Sequence, residues 1–204
     1  MRRPTFYKYR AVEPWDYLLD ILLYKRLYAA SFQTLNDPME GMFTYSQDQA
    51  APSFIEQMVH HKTKFGICSL SKTHKSTVMW SYYAAAHKGL VLGLKVDKAA
   101  ESVEAIEDVT YAEDNVFRGF LGSDPRTEAR KILCKKLTAW THEQEVRVFS
   151  SGQFIPISLD SVYLGVMMSA THKALLRSLI TQLDLEVTIH EAKLEDLDSR
   201  INLI

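Results

Sequence analysis

Trp140-Thr141-His142-Glu143-Gln144-Glu145-Val146-Arg147-Val148-Phe149 joins a pair of acids to a strand. Val146 and Val148 alternate with Glu145, Arg147 and Phe149, the period of a strand with one buried side. Side chains two apart on a strand point the same way, so Glu143 and Glu145 are expected to project together from its entry, away from the valines. Two carboxylates delivered to one sheet face suit a reactive site. They also suit a surface salt-bridge cluster with Arg147, and exposed charges are the rule. The segment alone leaves both open.

Outward from it, residues 5–10 are aromatic-rich and loosely alternating, a first strand. Glu13-Pro14 opens a helix with the proline where a helix tolerates it best. Its expected buried stripe is Trp15, Leu18, Leu19, Leu22 and Leu23, and it ends near Lys25-Arg26. Residues 27–31 read as a short strand, and Asn36-Asp37-Pro38 as a turn continued by Met39-Glu40-Gly41. A second helix spans 52–61, followed by a strand over 65–71. Ser76 or Thr77 caps a helix carrying Met79, Trp80, Tyr83 and Ala84 along one side and ending at His87-Lys88-Gly89. Residues 90–96 are almost continuously apolar, a central strand. Residues 105–111 form another strand, 113–124 a less regular connection, and 126–139 a helix with Ile132, Leu133 and Leu137 inward. After the focal strand, Ser151-Gly152 turns the chain and 154–157 pairs back as a hairpin, its Pro156 favouring an edge. A strand over 161–166, a helix over 171–183 and a strand over 186–191 complete the pattern. The sum is an α+β fold in a single globular domain, 1–204, with mixed, mostly antiparallel sheets of seven to nine strands flanked by about five helices.

With 47% hydrophobic and 24% charged residues the chain has material for a real core and needs no metal or disulfide staple. A net charge of −1 offers no global basic field for nucleic acid. No apolar run reaches membrane-spanning length, and the start lacks an apolar signal core, so a cytoplasmic protein is expected. Cys68 and Cys134 lie in apolar settings and read as buried thiols of a reducing compartment.

The seven histidines show neither HExxH spacing nor pairing with cysteine, so no metal site is expected. No glycine-rich phosphate loop is present. What remains is a set of polar residues near strand ends: Arg10 after Tyr9, Ser69 and Ser71, then Glu143 and Glu145. Trp80, Tyr83, His87 and Lys88 decorate the helix between them.

The ordered set Tyr7-Lys8-Tyr9-Arg10, Asn36-Asp37-Pro38-Met39-Glu40, Trp80-Ser81-Tyr82-Tyr83 with His87-Lys88-Gly89, Tyr111, and Trp140 to Arg147 resembles the bacterial family called domain of unknown function 2971. That family name implies no activity. The order aromatic-Arg10, Ser69-Leu70-Ser71 and Glu143-Gln144-Glu145 resembles a second family, the Arg-Ser-Glu class of ADP-ribosyltransferases, although Ser-Leu-Ser stands where that class has Ser-Thr-Ser. This second resemblance implies a split sheet, NAD as substrate and no metal. It implies that Arg10 grips a phosphate or ribose and that Ser69 or Ser71 braces the site. Glu145 would stabilise the charge developing on the ribose, and Glu143 would position or deprotonate the acceptor. Tyr9, Trp80, Tyr83 and His87 would line the dinucleotide. The acceptor, a protein or a nucleic acid, stays unnamed, and water in its place gives NAD glycohydrolysis. A role as a toxin or defence effector with an immunity or antitoxin partner goes with this resemblance.

Two other functions fit the same residues. One is a non-enzymatic module that binds a ligand or partner, with Glu145, Arg147 and Arg10 as a structural ion-pair network. The other is a metal-independent nucleotide hydrolase or nuclease using His87, Glu145 and Arg147. Geometry separates them. The enzyme readings need Arg10, Ser69 and Glu145 to line one cleft, with Glu145 not fully neutralised by Arg147, whereas a scaffold keeps them apart or locks them together with no adjoining pocket.

Overall fold

The alternating segments do form strands, but they assemble into a sheet that is almost divided in two. The computed structural model describes residues 4–37, 39–44, 51–114 and 124–193. The chain runs β1 (Phe6–Arg10), α1 (Trp15–Tyr24), β2 (Arg26–Tyr28), β3 (Ala30–Ser31), a 3-10 turn (Phe32–Thr34), α2 (Pro52–Lys64), β4 (Gly66–Ser71), α3 (Thr77–Tyr83), β5 (Leu90–Val96) and β6 (Val103–Asp108). It continues through β7 (Thr110–Ala112), α4 (Pro125–Leu133), β8 (Lys135–Leu137), a 3-10 helix (Thr138–Glu143), β9 (Glu145–Ser150), β10 (Phe154–Leu164), α5 (Ala170–Gln182) and β11 (Thr188–Glu191). The expected α+β class holds, with a mostly antiparallel main sheet.

That sheet has the order β11-β10-β5-β1-β4-β9-β6, with β2 added beside β10 and β3 beside β4. β1 pairs with β5 along its whole length, and β4 pairs with β9 along its whole length. Between β1 and β4 the only register is Tyr7 opposite Ser71. A separate parallel ladder joins β7 to β8. The main core fills one side of the sheet, where Leu18, Ile21 and Leu22 of α1 and Leu176 and Ile180 of α5 meet Leu90, Leu92, Leu94, Val146 and Val148. A second core packs α2 and α4 against Phe149 and Ile67. A third seats Trp80 and Met79 of α3 on Tyr9 and Val91.

Several sequence expectations are corrected. The α1 stripe is Leu18, Ile21 and Leu22, a set at i, i+3 and i+4, and Leu23 is 51% exposed because the helix packs on one side only. The helix expected over 126–139 stops at Leu133, after which the chain forms β8 and a 3-10 helix. The strand expected over 27–31 divides between two partners, β10 and β4. Residues 105–111 divide into β6 and β7. The segment after Ser151-Gly152 does not fold back on β9. It begins an eleven-residue strand, β10, that joins the other half of the sheet beside β5 and β2. Pro156 therefore lies beside β2 rather than on an open edge, and its carbonyl accepts from the Asp97 N–H at 3.0 Å. β9 is buried on both faces, not one. Pro38 and most of the 113–124 connection lie outside the described residues.

Candidate functional site

Where the rungs between β1 and β4 are missing, a cleft of about 300 Å³ opens. Residues 7–10 of β1 and 67–71 of β4 line it in unbroken runs. A strand face presents every second residue, so unbroken runs mean that the cavity is bounded by strand edges. Strand alternation places Ser69, Ser71 and Glu145 on one face and Lys8 and Arg10 on the other, since Tyr7 stands opposite Ser71 and Ser71 opposite Glu145. The opening between the strands lets residues of both faces line one cavity.

Its floor includes Glu40, Lys136, Glu143 and Glu145, which with Arg147 beneath them form a buried cluster of five charged side chains. Lys136 Nζ lies 2.5 Å from Glu143 Oε2, 3.0 Å from Glu145 Oε2 and 3.3 Å from Glu40 Oε1. Arg147 Nε donates to Glu145 Oε1 at 2.8 Å, and its Nη2 reaches Glu40 Oε1 at 2.7 Å and Glu145 Oε2 at 3.3 Å. Arg147 Nη1 donates to the Leu133 carbonyl. Arg147 is 0% exposed, so the charged cluster that exposure statistics favour as a surface feature is interior here. Three carboxylates against two cations leave one formal negative charge in excess. Glu40 Oε2 is buried with no hydrogen-bond partner among the described residues.

Local structure explains the convergence. Glu143 ends the 3-10 helix and is not part of the strand. Gln144 is left-handed, φ 44°, and that bend turns Glu143 and Glu145 toward the same ammonium. The Ser71 hydroxyl donates to the Glu143 carbonyl at 2.7 Å, and the Glu145 N–H donates to the Tyr111 hydroxyl at 2.8 Å. The Tyr83 hydroxyl donates to Glu143 Oε1 at 2.6 Å. Asp37 shapes the loop that delivers Glu40, accepting the Met39 N–H at 2.9 Å.

The electrostatics follow from the pairing. Burial alone would raise the Glu145 carboxyl, but Arg147, Lys136 and the Ser69 hydroxyl outweigh it and hold the group at about 2. Burial likewise works against the charged forms of Lys136 and Arg147, and the glutamates hold both above their ordinary values. Burial and the bond to Glu143 push the Tyr83 phenol up to about 12.

The other end of the cleft is built differently. Arg10 is partly buried, its guanidinium 5.7 Å over the Tyr17 ring, and it has no carboxylate partner among the described residues. Burial lowers its pKa, although Cys68 and Tyr17 oppose that. Lys8 Nζ donates to the Ser69 carbonyl at 2.9 Å.

Of the residues singled out from the sequence, Arg10, Tyr9, Ser69, Ser71, Tyr83, Glu143 and Glu145 line this cleft. Trp80 and His87 do not. The Trp80 indole is buried, donates to the His74 carbonyl at 2.8 Å and carries the His87 ring stacked on it at 6.1 Å. Helix α3 turns Trp80 toward β1 and Tyr83 toward Glu143. The Tyr9 ring packs edge-on to Trp80 at 5.6 Å and its hydroxyl donates to the Thr73 carbonyl, so it is committed to packing. Glu40, Tyr111 and Lys136 are site residues to which no role had been attached. Glu40 and Tyr111 stand in the motif set quoted above, which was the available signal. Lys136 had none, because a lysine inside an expected helix reads as solvated.

No helix among the described residues is long and apolar enough to cross a membrane, and no group of three or more metal-ligating side chains is placed there to hold an ion. No family model, curated protein or solved structure matches the chain. The functional reading rests on this cleft.

Proposed function

We propose that the cleft binds NAD and that the protein is a mono-ADP-ribosyltransferase-like enzyme, transferring ADP-ribose to an acceptor or to water. One observation carries the reading: Arg10, Ser69 and Glu145 sit on β1, β4 and β9, three neighbouring strands, and line one cleft where the sheet splits. That is the arrangement implied by the resemblance to the Arg-Ser-Glu class. The cleft's size falls at the lower end of small-ligand pockets.

The charge distribution supports it. Arg10, without a carboxylate partner among the described residues, offers a planar fork for a phosphate. The floor offers excess negative charge to a sugar that becomes cationic. In the proposed reaction the bond between nicotinamide nitrogen and ribose C1′ breaks, its electron pair leaving with nicotinamide. A ribosyl cation-like state develops, as in glycoside cleavage. Glu145, ionised and held in place, stabilises that charge. The acceptor then bonds to C1′, and Glu143 takes its proton. The two buried free thiols fit a reducing cytoplasm.

A second reading, a ligand-binding module without chemistry, is favoured by the hold of Arg147 and Lys136 on both oxygens of Glu145. The nucleotide-hydrolase reading loses His87, which lies behind Trp80. The deciding experiment supplies NAD labelled on its adenylate half to pure protein, with and without bacterial lysate, beside Glu145→Gln. Label transfer or nicotinamide release that disappears in the variant supports the enzyme. Binding of NAD without either supports the module. No binding of NAD by folded protein rejects the enzyme reading and leaves a module for a different ligand.

A further inference from the structure

We propose that Lys136 is the positioning residue of this site, one buried ammonium that bridges the Glu143 and Glu145 carboxylates, fixes them relative to each other and is the countercharge they share. Its effect on turnover rests on the NAD reading, while its effect on the two carboxylates does not.

Three observations lead here. First, the five charges are not shared evenly. Arg147 serves Glu145 and Glu40, but the only cation within ion-pair distance of Glu143 among the described residues is Lys136. Carboxylates that share a buried site cannot both ionise without a compensating charge. Second, the supporting ladder is specific to this task. β7 and β8 form a two-stranded parallel ladder outside the main sheet, too short to stand by itself. Its register puts Tyr111 opposite Lys136, and these two residues hold the Glu145 backbone N–H and the two carboxylates. Third, the chemistry calls for lysine. A compact ammonium has three donors and reaches three carboxylates, which the planar fork of arginine does not reproduce.

The groups facing Lys136 are Glu40 from the loop after the first 3-10 turn, Glu143 from the second, Glu145 and Arg147 from β9, Tyr83 from α3, and Tyr111 from β7. The Trp140 ring lies 5.0 Å from Nζ. Among these, Glu143 at the end of the 3-10 helix and Glu145 at the start of β9 lie nearest its ammonium, at 2.5 and 3.0 Å.

The test follows the glutamate carboxyl signals by ¹³C NMR across pH in wild type, Lys136→Met, Lys136→Arg and the charge-balanced Lys136→Met/Glu143→Gln. Glu143→Gln and Glu145→Gln assign the signals. In Lys136→Met one carboxyl of the pair is expected to titrate at least about one pH unit higher, a tenfold gain in proton affinity. Lys136→Arg recovers part of that shift. The acid limb of nicotinamide release moves with it, with kcat affected more than KM. A folded Lys136→Met with unmoved carboxyl titrations overturns the proposal. If Lys136→Met fails to fold and the double variant folds, the lysine answers to the charge of Glu143, as proposed. If neither folds, Lys136 is a core strut and the proposal fails. A carboxyl shift in a protein whose wild type releases no nicotinamide rejects the NAD reading and leaves the lysine assignment standing.

Discussion

The two ends of the cleft handle charge in opposite ways. At the floor, Glu40, Glu143, Glu145, Lys136 and Arg147 are buried and cross-linked, each leaning on at least one opposite charge. At the other end, Arg10 and Lys8 are partly buried with no carboxylate to answer them among the described residues. Removing one member of a buried network strands the others, so the floor is tied to folding. Removing Arg10 strands no carboxylate among the described residues, and removing Lys8 costs the Ser69 carbonyl one donor. The floor is tied to the protein's own stability, and on the proposed reading the Arg10 end is the part that answers to the ligand.

The largest effect that tests this contrast is Arg147→Met. It leaves Glu145 and Glu40 with Lys136 alone and the Leu133 carbonyl without its donor. A loss of about 3–5 kcal/mol is expected in urea denaturation. A loss near zero would make the floor a loosely held site rather than a structural one. Next comes Glu145→Gln, which keeps size and removes charge. Nicotinamide release is expected to fall about 10²–10³-fold, by analogy with deleting one electrostatic donor from an oxyanion hole. Full activity would exclude Glu145 from the chemistry. Arg10→Met sharpens the other side of the comparison. Its stability is expected within about 1 kcal/mol of wild type, while NAD affinity measured by calorimetry drops about ten- to a hundredfold, the worth of a charge-assisted hydrogen bond. A large stability loss with unchanged affinity would move Arg10 into the scaffold.

The mildest test uses protons. The Glu145 carboxyl is held at about 2, below its ordinary 4.5. A group whose folded value is depressed contributes stability that is complete above its unfolded value and is lost as pH falls toward the folded one. Thermal midpoints are therefore expected to fall between about pH 4.5 and 2, and Glu145→Gln should show a shallower fall. Identical slopes would mean that other carboxylates govern acid unfolding.

The strands were legible because alternation is a local signal. β1, β4, β5 and β11 fall where the pattern places them, and Ser76 caps α3 through the Met79 N–H. What escaped the sequence is pairing at long range. Leu133 and Leu137 keep helical spacing across the break at Cys134, so periodicity carries the helix through β8 and hides Lys136. Residues 154–157 read as a hairpin and 161–166 as a separate strand, because nothing local says that they run on as one strand through Asp160 and pair with β5. At the site, Arg10, Ser69 and Glu145 came from motif order. The buried partners Glu40 and Lys136 come from a loop and a three-residue strand, whose ends meet the acids only in three dimensions. Burial of Arg147 runs against the usual exposure of charge, and only its neighbours explain it.

The single rung between Tyr7 and Ser71 has one more consequence. Unpaired strand edges are the commonest template for unwanted association between chains, because their open N–H and C=O groups recruit any extended segment. Here the unpaired stretches of β1 and β4 face each other, with Lys8 spanning to the Ser69 carbonyl, and β3 covers residues 66 and 67 at the far end of the same β4 edge. The open backbone of these two strands therefore lines the cleft instead of forming an outer edge of the sheet.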